Sequence, residues 1–271
     1  DYDPPGPLAT QYTGGRSTPA PPLTVPKIQA LGSGVDGRDP PSDADAAYVR
    51  GVYDGEIDFM DQHLGRLIDK IKALGLYEQA TIVVTADHGE EFWDHGGFEH
   101  GHMLYDELIL VPLIIKFPDS VTVTQPVVSP QVRVLDVMPT LFEILSIDTP
   151  ESFIGQSLLP LVRGESSDDR IAFSESTLYG PPQISMRDHR YKYIETLKKG
   201  LNQAAIYDWR DDPGQTTDLS SRHPDIAMRL RDQIQAHQQK NLSLSQSMST
   251  LSPVDLSPQH IQQLRSLGYL R

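Results

Sequence analysis

Apolar positions along the chain fall into distinct regimes. Residues 1 to about 42 show no period: Pro4, Pro5, Pro7, Pro19, Pro21, Pro22, Pro26, Pro40 and Pro41 interrupt them, so the stretch reads as irregular surface chain rather than regular helix or central strand. Ile57, Met60, Leu64, Leu67, Ile71 and Leu74 then recur at helical spacing, with Tyr48 and Val52 extending the stripe upstream. Ser42 is placed to cap this helix, with Asp45 in its first turn, and Gly75 to stop it. Thr81 to Thr85 is continuous and β-branched, the pattern of a buried strand, and helix followed by apolar strand is a unit of an α/β fold. Val111 to Phe117 predicts a second strand. Leu135 to Ile147 predicts a second helix with Val134, Val137, Leu141 and Ile144 as apolar positions, and Arg170 to Ser174 a third strand.

Beyond residue 180 the period changes to alternation. Ile184 to Thr196, carrying Tyr191 and Tyr193, and Ala204 to Trp209 read as strands, and Asp211-Asp212-Pro213-Gly214 as a turn, which together predict a small antiparallel sheet. His223 to Lys240 is a polar helix with Ile226, Leu230 and Ile234 as a narrow stripe. Asn241 to Ser252 reads as a Ser/Leu-rich linker, and Ser257-Pro258 opens a last helix. The expected organisation is an irregular Pro-rich segment (1–42), an α/β part (43–178) and a small antiparallel-sheet and helix subdomain (179–271). Two or three strands before residue 180 are fewer than a doubly wound sheet normally has, so that sheet is expected to be unfinished on its N-terminal side.

Composition narrows the functional classes. The 271 residues carry a formal net charge of −14, which repels nucleic-acid phosphates and anionic lipid, and argues for an extracellular or periplasmic enzyme with no nucleic-acid partner. A bound cation could still reverse the local field for an anionic substrate. No apolar run approaches the roughly 18 residues of a membrane span. The absence of cysteine excludes disulfides, zinc–thiolate sites and a cysteine nucleophile within this sequence. Residues 1–30 hold no signal-peptide pattern, and a start on Asp1 rather than Met is expected to mark processing or truncation.

Chemistry concentrates in Thr85 to Glu107. Four of the nine histidines, His88, His95, His100 and His102, fall there among Asp87, Glu90, Glu91, Asp94 and Glu99, a density that suits a divalent metal. Asp87 and His88 follow the end of a predicted strand, where ligands bind in α/β sheets, and Gly89 would permit a tight turn. Of His100 and His102, His100 is favoured to face the site, with His102 as a packing or supporting residue. His95 reads as a supporting hydrogen-bonding residue, and Glu90 and Glu91 as solvated or helix-start charges. Lys192, between two tyrosines, reads as a structural strand charge before a cleft residue.

These pieces together resemble the sulfatase family of the alkaline-phosphatase-like superfamily. The run Tyr53-Asp54-Gly55-Glu56-Ile57, Asp61 with Leu64-Gly65-Arg66-Leu67, Thr85-Ala86-Asp87-His88-Gly89-Glu90, His100-Gly101 before Leu104-Tyr105-Asp106-Glu107, and Val111-Pro112-Leu113-Ile114 carry it. Leu135 to Leu141, Gly155-Gln156-Ser157-Leu158, Arg190 to Ile194, Ile206-Tyr207-Asp208 and the ending Leu264 to Tyr269 continue it in order. The resemblance implies a mixed sheet sandwiched by helices plus a small C-terminal α+β subdomain. It implies Asp87 and His88 as ligands of one divalent cation, calcium first with manganese or zinc as alternatives, and His100 as the residue that contacts the ester oxygens and protonates the leaving group. His at position 88, where many relatives carry Asn, is similar to the phosphonate and phosphodiester hydrolase branch.

The family's N-terminal half holds an Asp pair for the metal and a Cys/Ser-x-Pro-x-Arg segment whose Cys or Ser becomes the formylglycine nucleophile. No counterpart occurs here. The expectation is therefore a C-terminal half of a hydrolase of small-molecule or carbohydrate sulfate esters, inactive alone. A phosphodiesterase or phosphonate monoester hydrolase of the same superfamily, and a non-catalytic relative, are the alternatives.

Overall fold

The computed structural model describes residues 1–17, 19–32, 39–175, 177–198, 201–248 and 256–266. The proline-rich opening is not wholly irregular: it holds two short helices, α1 (Leu8–Gln11) and α2 (Val25–Leu31), and an isolated antiparallel bridge between Tyr2 and Leu23. Proline is tolerated here because Pro26 sits in the first turn of α2, where its missing N–H has no helical partner. The segment packs against α3 (Asp43–Ala73), a helix of 31 residues. Ser42 caps α3 by accepting from the Asp45 amide at 3.2 Å. Gly75 ends it in the left-handed conformation, while the Gly75 and Leu76 amides reach back to the Lys72 and Ile71 carbonyls.

The two halves of α3 differ. Tyr48, Val49 and Val52 are buried with Tyr2, Leu23, Ile28 and Phe92 in one core cluster. Gly51 and Gly55 let α1 lie directly on the helix: a Cβ at either would stand 2.4 Å from the Tyr12 carbonyl oxygen or 2.5 Å from that of Leu8. Downstream, the main predicted stripe stays in solvent, with Ile57, Met60, Leu67 and Leu74 all exposed.

Strand β1 (Ile82–Thr85) leads into the hairpin β2 (Glu91–Phe92) and β3 (Phe98–Glu99), then the short helix α4 (Asp106–Ile109) and β4 (Leu113–Lys116). The pair β1–β4 is antiparallel, with Val84 opposite Ile114. The expectation of a fully buried strand is corrected, since Ile82, Val83 and Val84 are only half-buried and Ile114 is exposed. Among the described residues β1 and β4 pair only with each other, so each is an edge strand.

Helix α5 (Val137–Ile144) follows a 3₁₀ turn over Val134–Asp136, and α6 is Leu159–Val162. Asp136 is fully buried between Arg133 at 2.8 Å and Arg170 at 2.9 Å; burial pushes its carboxyl up, and these partners with the Gln156 amide hold it below the ordinary value. Strands β5 (Ala172–Glu175), β6 (Gln183–Arg187), β7 (Tyr191–Lys198) and β8 (Leu201–Asp208) form an antiparallel meander in that order. The predicted third strand thus belongs to this sheet rather than to that of β1. Helix α7 (Pro224–Met248) runs through most of the predicted linker. Residues 231–271 cluster as a second compact unit, which holds α8 (Pro258–Ser266). No helix among the described residues is long and apolar enough to cross a membrane.

Candidate active site

The turn after β1 carries the two predicted ligands. Asp87 projects its carboxylate almost wholly into solvent, and its Oδ1 accepts from the His88 amide at 3.1 Å. His88 Nδ1 lies 2.7 Å from the Gly89 carbonyl oxygen, so Nδ1 donates there and Nε2 is the nitrogen left available to a cation. Asp87 Oδ1 and His88 Nε2 are 3.8 Å apart, close enough for one cation to bind both. Gly89 is required by close approach: a Cβ there would stand 1.9 Å from the Glu107 carbonyl oxygen, and the Gly89 amide donates to the Leu108 carbonyl at 2.8 Å. The chemistry of this donor pair fits a divalent cation, but no group of three or more ligating side chains occurs among the described residues.

Adjacent glutamates hold alternate histidines. His100 Nδ1 lies 3.1 Å from Glu90 Oε1, and its ring stacks on His88 with centroids 3.9 Å apart. The structure therefore brings Asp87, His88 and His100 to one place. Glu91, expected to be a solvated charge, is instead fully buried. It accepts from His102 Nε2 at 2.6 Å and from the Gly97 and His95 amides at 2.7 and 2.9 Å. Burial pushes the Glu91 carboxyl up, but these donors hold it below its ordinary value, while Glu91 raises His102 against burial. Glu91 was hidden in the sequence because its burial depends on partners several residues further on.

His95 is clamped from three sides. Its Nδ1 lies 2.5 Å from Glu107 Oε1, its Nε2 3.2 Å from the Gln215 carbonyl, and its ring stacks on Tyr105 at 3.5 Å. Tyr105 shares a 3.0 Å hydrogen bond with Tyr207 on β8, and buried Lys192 on β7 donates to Asp106 at 2.7 Å. Desolvation lowers Lys192 to about 8 despite Asp106. Lys192 is thus a strut between the meander and α4. Arg50 on α3 donates to the Phe92 carbonyl at 2.7 Å and fixes the hairpin from the other side.

Comparison with known proteins settles the family. The Sulfatase profile matches residues 12–147, and that of N-sulphoglucosamine sulphohydrolase, C-terminal, matches residues 93–240. The chain belongs to the sulfatase family. Among relatives, rat (Rattus norvegicus) arylsulfatase K is 27% identical over 69% of this chain and 35% of its own length. A phosphonate monoester hydrolase from Silicibacter pomeroyi superposes with a TM-score of 0.65 at 30% identity, covering 74% of this chain and 43% of that one. A 2-O GAG sulfatase superposes with a TM-score of 0.68 at 23% identity, covering 81% and 48%, and supports the alkaline-phosphatase-like fold. This sulfatase sequence thus spans between about a third and a half of the relatives' lengths.

Proposed function

We propose that this chain supplies the metal-turn and leaving-group side of a sulfuric ester hydrolase, with Asp87 and His88 as two ligands of a divalent cation and His100 as the proton donor to the leaving oxygen. The observation that carries the reading is the stack of His100 on His88 beside the Asp87 carboxylate, with Glu90 holding the far nitrogen of His100. A cation held by Asp87 Oδ1 and His88 Nε2 would neutralise the anionic ester. Glu90 engages Nδ1 of His100, which leaves Nε2 as the nitrogen that can hold a proton at the leaving oxygen. Calcium is the ion the family resemblance implies, whereas an imidazole donor is more readily accepted by manganese or zinc. The formylglycine nucleophile has no counterpart in this sequence.

Phosphonate or phosphate ester hydrolysis is the second reading. His88 at the second ligand position and the 30% identity to a phosphonate monoester hydrolase favour it. In an active protein that contains this chain, Asp87→Ala is expected to abolish metal retention and turnover together, and normal turnover would refute the assignment. His100→Ala is expected to slow turnover by about 10²–10⁴-fold with metal content unchanged, and loss of metal would show His100 to be misassigned. The 271-residue chain itself is expected to bind calcium weakly, which calorimetry checks. Comparing a sulfate monoester with a phosphonate monoester separates the two readings.

A further inference from the structure

The meander reaches the histidine region through one row of side chains. Arg187 on β6, Lys192 on β7 and Tyr207 on β8 stand directly opposite one another in register, so all three leave the same face of the sheet. Each ends on Tyr105 or Asp106, where α4 begins. The Lys192 ammonium donates to Asp106 Oδ1 at 2.7 Å, Arg187 Nε lies 3.4 Å from Asp106 Oδ2, and the Tyr207 hydroxyl meets that of Tyr105 at 3.0 Å. Arg187 is itself held, stacking on Trp209 at 3.8 Å and donating to Gln131 at 2.6 Å. Lys192 is wholly buried, and the charges that act on it are Asp106 and Glu107 from α4 and Arg187 from β6.

Two threads run from α4 to the turn and the hairpin. The Leu108 carbonyl accepts the Gly89 amide at 2.8 Å, and Gly89 lies against the Glu107 carbonyl with no room for a side chain. Glu107 Oε1 and the Tyr105 ring hold His95. Asp87 and His88 directly precede Gly89, so a shift of α4 moves the backbone that carries both. Outer partners of this kind orient the ligands of a metal, and losing one costs about 10–100-fold in affinity.

We propose that Lys192, at the centre of this row, is a positioning residue for the metal turn: it seats α4, and α4 fixes the Gly89 backbone behind Asp87 and His88. The metal role of the turn rests on the reading given above; the seating of the turn does not.

The test uses the 271-residue chain and two NMR readouts, amide hydrogen exchange and broadening of the His88 ring resonances by manganese. Lys192→Met keeps the length of the side chain and removes its donor. It is expected to lower protection about tenfold at Gly89 and at Leu110, whose amide closes α4 onto the Asp106 carbonyl, with the Val52 amide in the core of α3 unchanged. Manganese binding is expected to weaken about tenfold, although removal of a positive charge would by itself favour a cation. Tyr207→Phe, a smaller cut in the same row, is expected to give a lesser loss at the same two amides. A further measurement needs no variant. Unseating α4 returns Lys192 from about 8 towards its ordinary 10.5, so the neutral lysine favours the seated helix. Gly89 protection in the unaltered chain should therefore rise as pH passes about 8, and Lys192→Met should lack that rise. Gly89 protection unchanged in Lys192→Met, or protection lost at Leu110 alone, overturns the proposal, as does a flat pH profile of the unaltered chain. Manganese binding that is unchanged or tighter in Lys192→Met overturns the role in metal positioning. If manganese never broadens His88 in the unaltered chain while Gly89 responds, the seating of the turn stands and the metal reading fails.

Discussion

The upstream and downstream halves of α3 carry apolar residues at the same helical spacing, yet only the first is covered. Tyr48, Val49 and Val52 disappear under the N-terminal segment and Phe92, whereas Ile57, Met60, Leu67 and Leu74 face solvent, as does Ile114 on β4. The covered half is tied to the histidine hairpin through Phe92 and Arg50. The open half adjoins no functional side chain described above. Periodicity therefore reports that a helix has an apolar face, and it leaves open what that face touches.

Substitutions can break this contrast, and the largest effect is expected in the hairpin. Glu91→Ala leaves His102 buried beside an empty site and should cost about 3–5 kcal/mol, read as a fall in Tm. Next, Gly51→Ala drives a methyl into the Tyr12 carbonyl and should cost about 1–3 kcal/mol, with a matching loss of Tm.

A smaller effect follows from pH. The Glu91 carboxyl lies below its ordinary 4.5, so its contribution is present above 4.5 and is lost as pH falls through the lower folded value. His102 lies above its ordinary 6.5, so its contribution is full below 6.5 and is lost as pH rises through the higher folded value. The Tm difference between the unaltered chain and Glu91→Gln should therefore be greatest between pH 4.5 and 6.5. At the other extreme, Leu67→Gln on the open half should change stability by less than about 0.5 kcal/mol. A loss well above that would show that something covers the stripe.

Local features were legible in the sequence. Ser42 and Gly75 bounded α3 because caps depend on a few neighbouring residues, and Asp87, His88 and His100 stood out by density and by position after a strand. The missed features were non-local. Helices α1 and α2 are too short to leave a period, and the antiparallel pairing of β1 with β4 depends on a partner about 30 residues away, from Thr85 with Leu113 to Ile82 with Lys116. Adjacent glutamates look alike in sequence, but each meets a different histidine on the far side of the hairpin. Gly89 was identified for its freedom to turn, whereas it is held by its lack of a side chain against Glu107.

That last contact has a genetic consequence. Every amino acid reachable from a glycine codon by one base change carries a Cβ, and each would collide with the Glu107 carbonyl. The backbone could yield only by moving α4, and the Glu107 side chain would carry His95 with it. Drift at position 89 is thus closed off one mutation at a time, and Asp87 and His88 beside it share their mutational fate with a histidine that lies outside their turn.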